Sequence, residues 1–306
     1  MSTFDLRGVH VVVTGGAGLI GRAIVTELLT QDAEVRVLDR GPQPPAAPDV
    51  DWRSGSILDE QLLRDTLQGA DALVHIAGRA GLDQGTPTEI YATNALGTFL
   101  ALEVAGQEGI ARVAYASSIN ANGLPLHPHG ALPSAFPWNE DEPGDLADAY
   151  SLSKAANEQA AAAAVRRHGG QVVGLRYPLV RDIHADGGTV FAAHIRRALR
   201  EDPRRQAVEG WSYLDVRDAA RATVAALRRD IPAGPGILVA NPSTYLRLPT
   251  QEALSRLLPE VPRRRAFVGR EVPLDLSRAR ELLDTPPREH LEDIDPGLLA
   301  DLEEAA

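Results

Sequence analysis

Short β-branched runs alternate with amphipathic stretches through the first half of the chain. The apolar runs predict strands at Val9–Thr14, Glu34–Asp39, Ala72–Ile76, Val113–Ser117 and Val172–Arg176. The amphipathic stretches between them predict helices over Leu19–Thr30, Glu60–Leu67, Glu89–Gly106 and Tyr150–His168. Alternation of this length builds parallel βαβ units with helices on both faces, so the predicted class is α/β with a doubly wound parallel sheet. Two segments break the rhythm: a proline-rich loop at Pro42–Pro48, and Gly123–Asp148, a long loop of the kind that often binds ligand or forms a lid. Beyond Arg176 the elements shorten and are punctuated by proline. This reads as a sheet domain over residues 1–178 and a smaller lobe over residues 179–306 that contributes the substrate pocket, with an approximate boundary and parts that can interleave.

Composition narrows the chemistry. With 306 residues the chain can bury a large core, and its 44% hydrophobic and 24% charged content is that of a globular protein. A net charge of −11 argues against nucleic acid or an anionic membrane as partner, because phosphates repel such a surface. The chain has no cysteine, which removes disulfides, thiolate metal sites and cysteine nucleophiles. No apolar run approaches the ~20 residues of a spanning helix, and no basic-plus-apolar leader precedes the first strand, so a cytoplasmic setting is expected. His127 and His129 lack acidic or cysteine partners at ligand spacing, so no metal is expected there. Lys154 is the only lysine. Where a generic cation was needed the sequence uses arginine, which marks Lys154 as a place where a compact ammonium is required.

Val11-Val12-Val13-Thr14 runs straight into Gly15-Gly16-Ala17-Gly18-Leu19-Ile20-Gly21, glycines at GxxGxxG spacing followed by a helix. One glycine permits the tight turn, one lets backbone N–H groups approach a pyrophosphate, and one allows close helix–strand packing. Asp39 ends the second strand about twenty residues further on, where a carboxylate accepts hydrogen bonds from the adenosine ribose. It would repel a 2′-phosphate, which favours NAD over NADP, although Arg40 beside it could bind that phosphate.

Tyr150 and Lys154 open an alanine-rich helix at i and i+4, so phenol and ammonium share one face. A phenol with a pKa of about 10 is a poor base at neutral pH. A nearby lysine and an oxidised nicotinamide both favour phenolate, and roughly 4 kcal/mol of differential stabilisation would bring the group to neutrality. A serine pair, Ser117-Ser118, ends the preceding strand, where parallel sheets bind ligands.

Taken together, Thr14–Gly21, Asp39, His75–Gly78, Asn94–Thr98, Ala116–Ser118, Tyr150–Lys154, Leu175–Pro178 and Tyr213–Asp218 resemble the extended short-chain dehydrogenase/reductases, the NAD-dependent epimerase/dehydratase family. The resemblance covers most of the chain and is dense up to Pro178. It implies a Rossmann fold, NAD as cofactor, and a homodimer formed through the Tyr150–Lys154 helix and the one before it. It implies Tyr150 as general base and acid, and Lys154 as the group that holds the nicotinamide ribose and lowers the tyrosine pKa. Ser118 matches the substrate-orienting hydroxyl, with Ser117 as the competing assignment. Asn94 matches an asparagine of the catalytic and cofactor set that can equally be a structural hydrogen bonder. Gly15, Gly18, Leu19, Ile20, Gly21, Asp39, Arg40, Ser56, Ile57, Ala77, Gly78, Tyr177 and Pro178 are the remaining cofactor positions. His75 reads as a satisfied strand residue.

The departures from the family pattern narrow the reaction. Sugar-nucleotide 4,6-dehydratases place Asp-Glu directly after the catalytic hydroxyl, whereas Ile119-Asn120 follow here, and isoleucine cannot donate a proton. Leu179 and Trp211 stand where nucleotide-sugar epimerases tend to carry an asparagine and a diphosphate-binding arginine. Arg181, Arg196, Arg197 or Arg217 could compensate. Ser56 replaces an acidic residue often found near the adenine. Trp211 and Trp138 offer either a sugar-stacking wall or core packing. The expected activity is NAD-dependent oxidoreduction at a secondary alcohol or ketone of a sugar, sugar acid or similar small polar substrate, held by Ser118, Tyr150 and Trp211; the alternative is a sugar or nucleotide-sugar epimerase with transient hydride transfer.

Overall fold

The apolar run after the N-terminus becomes strand β1 (His10–Thr14), with Val11 and Val13 facing one side of the sheet and Val12 the other. The computed structural model describes residues 3–44, 50–126 and 129–302. From β1 the chain continues through α1 (Leu19–Thr30), β2 (Glu34–Asp39), β3 (Asp51–Ser54), α2 (Glu60–Leu67) and β4 (Ala72–His75). A helical run follows as α3 (Pro87–Tyr91) and α4 (Gly97–Gln107), joined by a π-helical turn at Ala92–Leu96, then β5 (Arg112–Ser118), α5 (Ala149–His168) and β6 (Gln171–Tyr177).

The later elements are β7 (Leu179–Arg181), α6 (Thr189–Glu201), α7 (Pro203–Val208), β8 (Tyr213–Asp215), α8 (Val216–Arg228), β9 (Ile237–Leu238) and α9 (Thr250–Leu257), followed by short helical turns. Seven parallel strands form the main sheet in the order β3-β2-β1-β4-β5-β6-β9, and β7 pairs with β8 in a small parallel sheet. The order reverses between β1 and β4, which opens a crevice beyond their carboxyl ends. One core packs α1 and α8 against the sheet through Ile24, Leu28 and Leu227; another joins α2, α4 and α5 to the opposite face through Leu63, Leu102 and Ala161. This is the doubly wound sheet read from the alternating pattern.

A cut at residue 178 does not divide the cores. Helix α8 and strand β9 lie beyond it in sequence yet complete the main sheet and its helical layer. Conversely, Phe136 and Trp138 from the long loop before α5 are fully buried in the lobe's own core, with Phe191, Trp211 and Tyr245. That loop bridges to the C-terminal segment at Phe136–Arg263 and Trp138–Leu274. Much of the expected lid is therefore lobe foundation. Of the predicted proline-rich loop, residues 45–48 lie outside the described residues.

The strands that the apolar pattern did not predict are short or polar. β3 reads Asp-Trp-Arg-Ser at the sheet edge, and β9 has two residues. Neither leaves a periodic signal long enough to read. Among the described residues no helix is long and apolar enough to cross a membrane.

Candidate active site

The crevice begins at the glycine loop. Gly15 sits in left-handed backbone at φ 81°, and a Cβ there would come within 2.6 Å of the Ala77 backbone nitrogen at the end of β4. A Cβ on Gly21 would lie 2.1 Å from the Gly15 carbonyl oxygen. Side chains at these two positions would force the turn away from β4 and the helix away from the turn. α1 begins directly after Gly18 with no side-chain cap on its N-terminal N–H groups. Such an end attracts phosphate. These features fit a dinucleotide pyrophosphate.

The groove, of about 470 Å³, runs past Leu19, Ile20, Asp39, Arg40, Ser56, Ile57, Ala77 and Gly78. The Asp39 carboxylate is pinned at its far end by backbone N–H donation from Ala17 at 2.9 Å and Gly41 at 2.7 Å. The Ser56 hydroxyl accepts from Leu58 N–H at 3.2 Å.

A second cleft of about 580 Å³ continues from this groove, sharing Ile20, Ile76, Gly78 and Arg181 with it. Strand β5 delivers Ser118 to its wall and α5 delivers Tyr150 and Lys154. The start of α5 is set by Asp148, whose side chain accepts from Ser151 N–H at 2.7 Å, and this cap fixes which face Tyr150 and Lys154 present. Ser118 and Tyr150 line the same cleft, and the serine side chain is close enough to the phenol to favour its ionised form. Ser117 points elsewhere and donates to Glu158 at 2.6 Å, so of the two serines it is Ser118 that meets the phenol. Tyr177 and Pro178, at the end of β6, border the same cleft, and the Tyr177 hydroxyl is bonded to Thr223 at 2.6 Å.

The electrostatics are set by burial. Lys154 is 6% exposed, donates to the Ala116 carbonyl at 2.9 Å, and lies 5.6 Å from the centre of the Tyr150 ring. Burial brings its ammonium down to about 8, against the pull of Glu158 one helical turn further along. Burial also pushes the Tyr150 phenol above its ordinary value; the Ser118 side chain opposes this, and the charges of Asp148 and Glu209 add to it. The groups of the chain by themselves raise the phenol, because loss of water penalises phenolate more than one serine hydroxyl rewards it; the expected lowering draws on the nicotinamide charge as well.

Two expected site residues, Trp211 and Asn94, sit elsewhere. Trp211 is fully buried in the lobe core and does not border the cleft; left-handed backbone at φ 47° turns it inward, and Trp138 is buried with it. Both are packing, not a sugar-stacking wall. Asn94 is buried behind the cleft wall, in the π-helical turn. Its amide accepts from Arg79 N–H at 2.7 Å and donates to the Arg79 carbonyl at 3.0 Å and to Ser153 Oγ at 3.2 Å. With every polar atom spent this way, it clamps the chain after β4 to α5. His75 bridges Thr14 Oγ1 at 2.8 Å and Thr98 Oγ1 at 3.1 Å, and burial depresses it to about 3, so it is a neutral strand residue.

Of the arginines offered as anion partners, only Arg181 borders the cleft. Arg196 donates to the Gly297 carbonyl, Arg197 stands 3.9 Å from Glu201, and Arg217 is held by Asp215. Motif reading missed His194, Glu201, Arg205 and Glu209, which line the lobe side of the cleft. His194 and Glu201 are seven residues apart on α6, and Arg205 and Glu209 are four apart on and just past α7, so local spacing signals each pair, while the break at Asp202–Pro203 hides that the two pairs meet. Among the described residues no group of three His, Asp or Glu is placed to hold a metal ion. His127 lies outside them, and His129 is 4.0 Å from Asp145.

A glycine-lined groove at the switch point of a parallel sheet, leading to a Ser–Tyr–Lys cleft, defines a dinucleotide-binding protein of the short-chain dehydrogenase/reductase class. Residues 11–240 match the NAD dependent epimerase/dehydratase family, and the chain belongs to that family of NAD-dependent enzymes. It is 32% identical over 181 residues to a dTDP-glucose 4,6-dehydratase of Streptomyces niveus, an alignment covering 54% of this chain and 52% of that protein. The chain therefore spans about half of that relative's length. It is 27% identical over 272 residues to cinnamoyl-CoA reductase 1 of Petunia hybrida, covering 84% of this chain and 80% of the reductase. A short-chain dehydrogenase/reductase superfamily protein from Agrobacterium tumefaciens, solved with bound NAD, shares the fold at a TM-score of 0.69 and 22% identity, covering 97% of this chain and 95% of that one.

Proposed function

We propose that this protein is an NAD-dependent oxidoreductase acting at a secondary alcohol or ketone of a sugar, sugar acid or similar small polar compound. NAD, when bound, supplies the hydride acceptor or donor. Tyr150 takes the hydroxyl proton during oxidation and returns it during reduction. Ser118 hydrogen-bonds the reacting oxygen and holds it against the phenol. Lys154, buried on the same helix face, favours the phenolate by its charge and holds the cofactor ribose. Asn94 acts as a positioning residue through α5. One observation carries the reading: Ser118, Tyr150 and Lys154 converge on a single cleft that opens into the glycine-lined groove.

The test is a spectrophotometric screen. NAD⁺ with a panel of sugars, sugar acids and polyols should yield NADH without inversion of the recovered substrate. Inversion at one carbon with no net NADH identifies an epimerase instead and defeats the proposal.

A cytoplasmic homodimer accompanies this reading, since a net oxidoreductase draws on a soluble NAD pool. Tyr91, Leu96, Phe99 and Leu152 leave apolar side chains exposed along α3, the π-helical turn after it, α4 and α5. Exposed apolar side chains on these neighbouring helices favour association. Light scattering should report twice 32.7 kDa, and a monomer at micromolar concentration would refute the dimer.

A further inference from the structure

The lobe side of the cleft carries a carboxyl that the proposed hydride chemistry does not use. Glu209, just past the end of α7, has only 13% of its side chain exposed, and Arg205 one turn earlier donates to one carboxylate oxygen at 3.0 Å. Among the described residues Arg205 is the one hydrogen-bond donor that acts on this carboxyl, and both side chains border the cleft with Ser118, Asn120 and Tyr150. Burial raises the Glu209 carboxyl and Arg205 opposes it, while its charge reaches the Tyr150 hydroxyl. Among the described residues, the other titratable groups that act on or lie beside Tyr150 are Asp148 at the start of α5 and Lys154.

We infer that Glu209, braced by Arg205, is a specificity-determining residue that accepts hydrogen bonds from additional hydroxyl groups of a polyhydroxylated substrate whose reacting carbon lies at Tyr150. The argument is one of satisfaction. A sheltered carboxylate oxygen needs a donor; a substrate with an apolar body would take away its water and return nothing, and that leaves a charged group unpaired. A substrate carboxylate at the same place would be repelled. Hydroxyls beside the reacting carbon supply the donors, and Arg205 keeps the acceptor oriented. This selects, within the proposed oxidoreductase reading on which it rests, the polyols and sugars over simple secondary alcohols.

The experiment measures binding to protein saturated with NADH, in which no alcohol can be oxidised. The probes are myo-inositol, xylitol and D-galactose, against cyclohexanol as a ring with a single hydroxyl. Wild type should bind at least one polyhydroxylated probe more tightly than cyclohexanol. Glu209→Gln should cut that preference about 10- to 100-fold, the loss of a charged hydrogen bond, with NADH affinity unchanged. If Glu209→Gln fails to fold, Glu209→Asp, which withdraws the carboxylate by one methylene, is read in the same way. Equal preference in wild type and variant overturns the inference, as does a wild-type protein that binds cyclohexanol as tightly as every polyhydroxylated probe. A preference that depends on Glu209 without any NADH formation from NAD⁺ sinks the oxidoreductase reading and leaves Glu209's role standing. NADH formation with undiminished discrimination in the variant does the reverse.

Discussion

Tyr150→Phe should lower NADH formation by about 10²- to 10⁴-fold, the range of a lost general acid–base group, while dinucleotide affinity stays within about twofold. The phenylalanine keeps the ring that packs in the cleft wall and removes only the hydroxyl that Ser118 meets. Cofactor binding is governed at the other end of the crevice by the glycine loop and Asp39, so fluorescence titration with NADH should separate the two effects. The wild-type rate of alcohol oxidation should also rise with pH, because burial holds the phenol above its ordinary value and the reaction needs the phenol without its proton. That rise should vanish in Tyr150→Phe. Wild-type turnover in the variant would remove Tyr150 from the chemistry altogether.

The second large effect concerns stability. Arg176→Ala should cost about 3–5 kcal/mol in denaturant unfolding, because it leaves a buried carboxylate uncompensated. Arg176 makes two 2.7 Å hydrogen bonds to Glu158 and one of 2.9 Å to the Glu140 carbonyl, and the paired side chains are only 6% and 10% exposed. Burial alone would push the Glu158 carboxyl up, but the bonds from Arg176 and Ser117 hold it below its ordinary 4.5. A depressed carboxyl contributes its stability above the ordinary value and loses it as the pH falls through the native one. Wild type should therefore lose part of its stability in acid below about pH 4.5, and Arg176→Ala should lose less over that interval. Replacing both partners with apolar residues, Arg176→Met with Glu158→Leu, should cost less than Arg176→Ala alone. A single variant as stable as wild type would show that the pair has no such role. Glu158 also supports the charge on Lys154, so its loss should reach the active site.

How much of this was legible beforehand varies by element. α1, α2 and β2 have the predicted limits, because each is a long local pattern bounded by its own turn residues. The helix predicted over Glu89–Gly106 exists, but with a π-helical turn at Asn94. That turn accompanies contacts with Arg79 and Ser153, which are 15 and 59 residues away in the chain, and no local periodicity encodes them. The glycine positions were readable because each answers to a steric requirement of its own segment, as the close approaches at Gly15 and Gly21 make plain. Trp211 was not, since an aromatic residue serves equally in a core or in a sugar site until its neighbours are known. The same holds for Ser117 and Ser118. They are adjacent on one strand and point to opposite faces, and only the position of α5 decides which of them meets the phenol.

By itself, then, the sequence determined the α/β alternation, the turn that can admit a pyrophosphate, the acidic residue that follows it, and the i, i+4 placement of phenol and ammonium. All of these are requirements that neighbouring residues settle among themselves. Tertiary structure alone decided that α8 and β9 return to the main sheet, that Arg181 and not its rivals reaches the cleft, and that Glu209 borders the same cleft as Tyr150. It also decided that Tyr150 is buried, and with that the upward push on its phenol. Charge, burial and unpaired acceptors are properties of a surrounding that exists only once distant segments have packed together.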